Sequence, residues 1–220
     1  MKRLIIIVCM LMIVGGCVFN SNNVPEKIVR STVFVEVESI YGEFWSGSGF
    51  IVKEDGLIMT AGHVVNNAKT IRVILSDGVV FEAASFYSKD YPDADIGFIK
   101  IEANNLPVLR LSKERLKLGD IVYICGCPFG KDLTQTLTKG IIAGFNRDIS
   151  ELGSKNLLQV DAQSWPGNSG GPICDEEGNV VGILISGMYG CDGISLCTTV
   201  NVCIVALDKY LLEMSFGEIK

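Results

Sequence analysis

One serine of this 220-residue chain sits where its neighbours leave it room to react, in Trp165-Pro166-Gly167-Asn168-Ser169-Gly170-Gly171-Pro172. An ordinary turn needs one or two residues that tolerate positive φ, and here three glycines and Asn168 bracket the Ser169 hydroxyl. Such a serine can attack a carbonyl if a base takes its proton, and the N–H groups of Gly167 and Ser169 can then converge on the oxygen that becomes negative. Histidine has the right basicity near neutral pH. The chain has a single one, His63, in Leu57-Ile58-Met59-Thr60-Ala61-Gly62-His63-Val64-Val65. A ring that takes up a proton needs a carboxylate at its other nitrogen, to set the tautomer and stabilise the charge. Asp95 precedes the apolar segment Ile96-Gly97-Phe98-Ile99-Lys100-Ile101, where burial would force a carboxylate to find a partner. Asp93, just after Pro92, reads instead as an exposed turn residue. Taken singly, each feature has a plain structural reading: a glycine-rich loop around Ser169, and a surface or satisfied core histidine at 63. Together they suit acyl transfer through a covalent intermediate.

The elements that must position these groups read mostly as short strands. Val33, Val35 and Val37 alternate with Phe34, Glu36 and Glu38, the period of a half-buried strand. Stretches 49–52, 57–60, 71–75, 79–86 and 96–101 follow, separated by turn signals such as Glu54-Asp55-Gly56 and Ser76-Asp77-Gly78. Residues 104–120 are more polar and lack a period, so they read as a connection. The style then repeats in 121–125, 133–145, 157–160, 172–174, 180–185 and 194–200. Short strands at regular spacing suggest barrels or a sandwich. At the end the period changes: Ile204, Leu207, Leu211 and Met214 share one helical face, with Asn201 placed to cap its start. The expected division is a leader over 1–16, a tether and short helix over 17–31, a first barrel over 32–103, the connection over 104–120, a second barrel over 121–200 and a helix over 201–220.

Composition narrows the function classes. With 48% hydrophobic and 20% charged residues the chain can bury proper cores, and a net charge of −6 without clustered Lys or Arg argues against a nucleic-acid partner. Lys2 and Arg3 ahead of an apolar run from Leu4 to Val14 read as an export signal, the run being short for a membrane span. Val14-Gly15-Gly16-Cys17 resembles a bacterial lipobox, which implies cleavage before a lipidated Cys17; plain secretion or a signal anchor are the alternatives. Without Cys9 and Cys17, six of the eight cysteines remain, an even number that permits disulfides outside the cytoplasm without choosing among pairings. No Cys-x-x-Cys spacing points to zinc, so no metal is expected.

His63, Asp95 and Ser169, in that order, resemble the triad of the chymotrypsin-like serine peptidases. The surrounding words are similar to their HtrA or Deg branch: Ser46-Gly47-Ser48-Gly49-Phe50-Ile51-Val52, Thr60 to Val65, Asp95 to Ile101, Gly126-Cys127-Pro128-Phe129-Gly130, and Gly167 to Pro172. Several words in register across nearly the whole mature chain are far more specific than any one of them. The resemblance implies an all-β protein of two six-stranded antiparallel barrels with a C-terminal helix, needing no cofactor. His63 and Asp95 would come from the first barrel and Ser169 from the second, with Gly167, Asn168 and Ser169 forming the oxyanion hole.

Further implications are finer. The pocket for the substrate side chain before the scissile bond would be walled by Gln163, Ser164 and Trp165 and by Leu184, Ile185, Ser186 and Gly187. Lacking a carboxylate, that pocket would favour small or medium apolar side chains. The strand ending at Cys125 would neighbour the one reaching Cys174, making Cys125–Cys174 a candidate disulfide, with Cys191–Cys197 as the other. A homotrimer is among the assemblies of that branch. The chain stops soon after its helix, where HtrA enzymes usually continue into a PDZ domain, and Asn168 replaces the aspartate through which trypsin zymogens are activated. The expected function is a serine endopeptidase acting on proteins or peptides in the cell envelope, at a periplasmic or outer face. The alternative is a catalytically silent peptide-binding protein on the same fold.

Overall fold

The computed structural model describes residues 23–88, 94–150, 153–187 and 193–217. The leader, Cys17, Asp93 and Cys191 therefore lie outside the described residues. Twelve strands form two closed antiparallel barrels. The first holds β1 (Thr32–Ser39), β2 (Phe44–Lys53), β3 (Leu57–Thr60), β4 (Ala68–Ile74), β5 (Val80–Ser88) and β6 (Gly97–Ile101). The second holds β7 (Ile121–Gly126), β8 (Thr136–Ile149), β9 (Ser154–Asp161), β10 (Pro172–Cys174), β11 (Val180–Gly187) and β12 (Ser195–Thr199). Around the first barrel the order is β1-β2-β3-β6-β5-β4, and around the second β7-β8-β9-β12-β11-β10, so the two halves share one topology. Closure leaves neither sheet with an open edge.

Each barrel is filled by its inward side chains. Val33, Val35, Val37, Ile51, Ile58, Ile99 and Ile101 occupy the first, and Val122, Ile124, Val160, Val181 and Leu184 the second. A third cluster lies between them, where Phe50, Met59 and Phe98 of one half meet Cys125, Cys174, Val180 and Ile183 of the other. Burial of this kind contributes roughly 25 cal/mol per Å² of apolar surface, and here it fixes how the barrels face each other. The connection laces them further: Leu109 N–H donates to Ile51 O (3.0 Å), Val180 N–H to Arg110 O (2.7 Å) and Ser112 N–H to Val180 O (2.8 Å).

Helices close the interface at both ends of the chain. α1 (Val24–Ser31) begins with Pro25 in its first turn, where a missing N–H costs nothing. α3 (Val200–Ser215) keeps only part of the expected face, with Leu207 and Leu211 half-buried against the interbarrel cluster. Its buried residues are Val200, Cys203, Ala206 and Tyr210, while Met214 is 40% exposed. Small Cys203 and Ala206 let the helix approach the barrels closely, and Tyr210 stacks on Phe98 with ring centroids 4.4 Å apart. Asn201 lies inside the helix, and the N-cap is Thr199.

The cysteines also correct the expectation. Cys125 and Cys174 are both free thiols, although β7 and β10 do pair. Cys174 stands opposite Tyr123, so Cys125, two residues further along, is its diagonal neighbour on the same face. Diagonal side chains in an antiparallel pair sit about 7–8 Å apart, nearly twice the Cβ spacing that a disulfide needs. Cys197 is likewise a buried free thiol. Burial pushes Cys125 and Cys203 up to about 12, and Cys174 and Cys197 well above the usual thiol range, so these side chains stay protonated and behave as small apolar groups.

Candidate active site

His63 is presented by a single helical turn. β3 is buried throughout, Ala61 is still extended, and the chain then winds once through α2 (Gly62–Val65). Val64 and Val65 drive into the first-barrel core and leave the His63 side chain about half exposed on the opposite side. Trp45 locks the turn by donating its indole N–H to Val64 O (2.8 Å).

Asp95 binds this turn twice. One carboxylate oxygen accepts the backbone N–H of His63 (2.7 Å), and the other lies 2.5 Å from Nδ1 of the ring. A carboxylate can only accept, so Nδ1 carries the proton and Nε2 is left with a free lone pair. That is the tautomer of a base.

The Ser169 loop presents a complementary pattern. Trp165 O accepts the N–H of Asn168 (3.0 Å), closing a turn with Pro166 and Gly167 at its centre. Gly167 has φ +100°, the left-handed value that a type II turn demands after proline. A Cβ there would fall 2.5 Å from Cys127 O, so only glycine fits. Phe129 N–H holds Pro166 O (2.9 Å), Gly171 N–H holds Asn168 O (2.9 Å), and Gly170 N–H donates to Leu184 O (2.7 Å). Ser48 supplies the rest, donating its hydroxyl to Gly167 O (2.7 Å) and its amide to Ser169 O (2.8 Å). Every carbonyl from Trp165 to Ser169 is thus engaged. Among the described residues, the N–H groups of Gly167 and Ser169 have no acceptor. Two unclaimed donors beside a hydroxyl are what a developing oxyanion requires. Asn168, by contrast, is buried and spends its amide inside the loop, so it is not a third donor of the expected hole.

Ser169 and His63 come from opposite barrels and meet through Ser48. The same residue whose amide holds Ser169 O accepts the hydroxyl of Thr60 at its own carbonyl (2.6 Å), three residues before the histidine. The Ser169 hydroxyl itself donates to Ile185 O at 3.4 Å, a long bond, and no hydrogen bond joins it to the ring in this structure. Catalytic hydrogen bonds commonly tighten only when substrate is in place.

The expected specificity wall is partly overturned. Leu184 is 1% exposed within the second-barrel core, and Ile185 is 6% exposed among the apolar residues of the first cluster. The register slips between Leu184 and Ser186, and this bulge turns the Ile185 side chain inward and its carbonyl toward Ser169. Both side chains are buried, which removes the ground on which an apolar preference was inferred from them. Ser164 and Gly187 do face each other: a Cβ on Gly187 would lie 3.0 Å from Ser164 Oγ. Ser195 Oγ donates to Ala162 O (2.8 Å) and receives the Ser164 hydroxyl (2.7 Å), so the polar groups beneath Ser164 are uncharged. Trp165 is half buried beside it, Gln163 is exposed with its carbonyl taken by Thr138 Oγ1 (2.9 Å), and the Ser186 hydroxyl turns to Gly187 O (3.0 Å). Ser48 and Phe129 stand in the segments that carry the resemblance but were given no role there, and Ser195 was not singled out from the sequence.

Comparison with known proteins gives a consistent picture. Residues 47–183 match the trypsin-like peptidase domain family. The human serine protease HTRA4 is 40% identical over 185 residues, covering 78% of this chain and 37% of that protein. A probable periplasmic serine endoprotease, DegP-like, from Halomonas elongata is 38% identical over 167 residues, covering 74% and 34% respectively. The chain thus spans little more than a third of the length of these relatives. Among solved structures, the serine endoprotease from Yersinia pestis superposes with a TM-score of 0.73 at 30% identity, covering 86% of this chain and 66% of that one. An HtrA-type protease, AlgW, bound to a tripeptide gives 0.75 at 29% identity, with 84% and 62% covered.

Proposed function

The chain belongs to the trypsin-like serine peptidases, among the HtrA proteins, and from that premise we propose that it is a serine endopeptidase. Ser169 is the nucleophile, His63 the base and Asp95 the group that orients the ring. Ser169 attacks the scissile carbonyl while His63 Nε2 takes its proton, and the oxygen, now negative, receives the N–H groups of Gly167 and Ser169. The imidazolium then protonates the leaving amine, and water, activated by the same nitrogen, releases the acyl group. The single observation that carries this reading is the Asp95–His63 pair, with its free Nε2, on the barrel wall to which Ser48 ties the nucleophile loop.

A fluorophosphonate probe tests it directly, because the probe reacts only with an activated serine. The full chain is expected to label once per molecule and Ser169→Ala not at all. An unlabelled parent would leave the silent peptide-binding protein as the reading to keep.

The place of action is proposed on the leader and on the periplasmic assignment of DegP-like relatives. Residues 1–16 are removed on export, and a lipid on Cys17 tethers the enzyme in the cell envelope, where it cleaves protein or peptide substrates. Cys17→Ser is expected to move the protein from the detergent phase to the aqueous phase on phase partitioning. An unmodified Cys17 in the mature protein, read by mass spectrometry, overturns the tether. Assembly as a homotrimer is proposed on family likeness alone.

A further inference from the structure

We infer that Ser48 is a positioning residue for oxyanion stabilisation, acting from the first barrel on peptide groups of the second. The inference rests on the reading of Ser169 as nucleophile and adds a residue to it.

Ser48 is fully buried, and all its polar atoms are committed. Its hydroxyl donates to Gly167 O (2.7 Å) and accepts Cys127 N–H (2.8 Å), its amide donates to Ser169 O (2.8 Å), and its carbonyl accepts Thr60 Oγ1 (2.6 Å). A peptide group is planar, so holding its carbonyl fixes its N–H as well. Ser48 holds the Gly167–Asn168 and Ser169–Gly170 planes. Between them lies the Asn168–Ser169 plane, which carries the Ser169 N–H.

The other free amide, that of Gly167, belongs to the Pro166–Gly167 plane. Phe129 holds that plane through its carbonyl, and Phe129 follows Cys127 on the segment that the Ser48 hydroxyl also grips. Glycine has the widest choice of dihedral angles of any residue, so a loop hinged on Gly167 keeps its orientation only where its carbonyls are tied. One serine therefore supports both donors and joins them to Thr60, at the foot of the turn that carries His63.

Removing the hydroxyl orphans Gly167 O and Cys127 N–H in a buried place and frees the loop to turn. Deleting an oxyanion donor outright costs about 10²–10³ in kcat, and loosening one costs less. Ser48→Ala in the full chain is expected to lower kcat, per active site titrated to saturation with the fluorophosphonate, by about 10–100-fold, with KM changed by less than about twofold. A peptide boronate, whose tetrahedral adduct occupies the oxyanion position, is expected to bind more weakly by the same factor. Ser48→Thr keeps the hydroxyl and is expected to recover most of the loss. Ser48→Cys keeps nearly the volume with a weaker donor, and falls between.

A merely structural role moves other quantities: it lowers the melting temperature and the titrated fraction but leaves kcat per site and boronate affinity alone. Parent-like kcat per site in Ser48→Ala, or a fall in kcat with unchanged boronate affinity, overturns the inference. Should Ser48→Ala fail to fold, the same readings on Ser48→Cys decide. A parent that neither labels nor cleaves overturns the nucleophile itself, and is distinguished by needing no variant.

Discussion

His63→Ala is expected to lower kcat by about 10⁶, and adding Ser169→Ala to lower it no further, because the members of such a triad act as a unit. The reason is arithmetic of residues. His63 is the only histidine in the chain, so no second imidazole can take over the proton of Ser169. Among the described residues, the one polar partner of the Ser169 hydroxyl is the carbonyl of Ile185, which cannot hold a proton at neutral pH. What survives in either variant is catalysis by the two loop amides and by substrate binding, on the order of 10³–10⁴ over water. The loss of about 10⁶ corresponds to roughly 8 kcal/mol of transition-state stabilisation, far beyond any stability effect of a half-exposed side chain. Single-turnover rates on a peptide substrate decide it: a His63→Ala chain that keeps more than about one hundredth of the parental rate removes His63 from the mechanism.

The candidate site was legible because the chemistry proposed for it constrains its surroundings. A base must leave an apolar strand through a small-residue turn, as the proposed base His63 does, and a nucleophile must sit among residues that spare it neighbours, as the proposed nucleophile Ser169 does. The strands were legible for a related reason, since alternation such as Val33, Val35 and Val37 survives wherever one face is wetter than the other. β11 broke that rule. Val180 to Ile185 is buried on both faces, so alternation there says nothing about direction, and the bulge that turns Ile185 leaves no mark in the sequence. The face of α3 was only partly legible. Leu207 and Leu211 of the expected stripe are half-buried against the interbarrel cluster, but the fully buried positions include Cys203, Ala206 and Tyr210, where small residues allow close approach and Tyr210 stacks on Phe98. Ser48 stood in a recognised segment, but its contacts were not legible. In Ser46-Gly47-Ser48-Gly49 it looks like one of two equivalent polar residues, and only the barrel closure brings it under the nucleophile loop.

Asp95→Asn is expected to leave the fold intact and lower kcat by about 10⁴, the cost of holding the imidazole in the wrong tautomer. The two contacts of Asp95 dictate how the amide must sit. One carboxylate oxygen accepts the backbone N–H of His63 at 2.7 Å, and the other faces Nδ1 at 2.5 Å. Asparagine has one oxygen and one NH₂ to offer these two positions. With the NH₂ toward the backbone N–H, two donors would oppose each other, so the oxygen takes that place and the NH₂ turns to Nδ1. The ring must then accept at Nδ1 and carry its proton on Nε2, where it can no longer receive one from Ser169. The imidazolium also loses the negative charge that stabilises it. The substitution changes neither volume nor the backbone contact, so the melting temperature is expected to stay within a few degrees of the parent, while fluorophosphonate labelling slows in proportion to kcat. Asp93→Asn, made alongside, is expected to keep full activity. If the effects are exchanged between 93 and 95, or if Asp95→Asn retains more than about a tenth of the parental kcat, Asp95 does not orient the base.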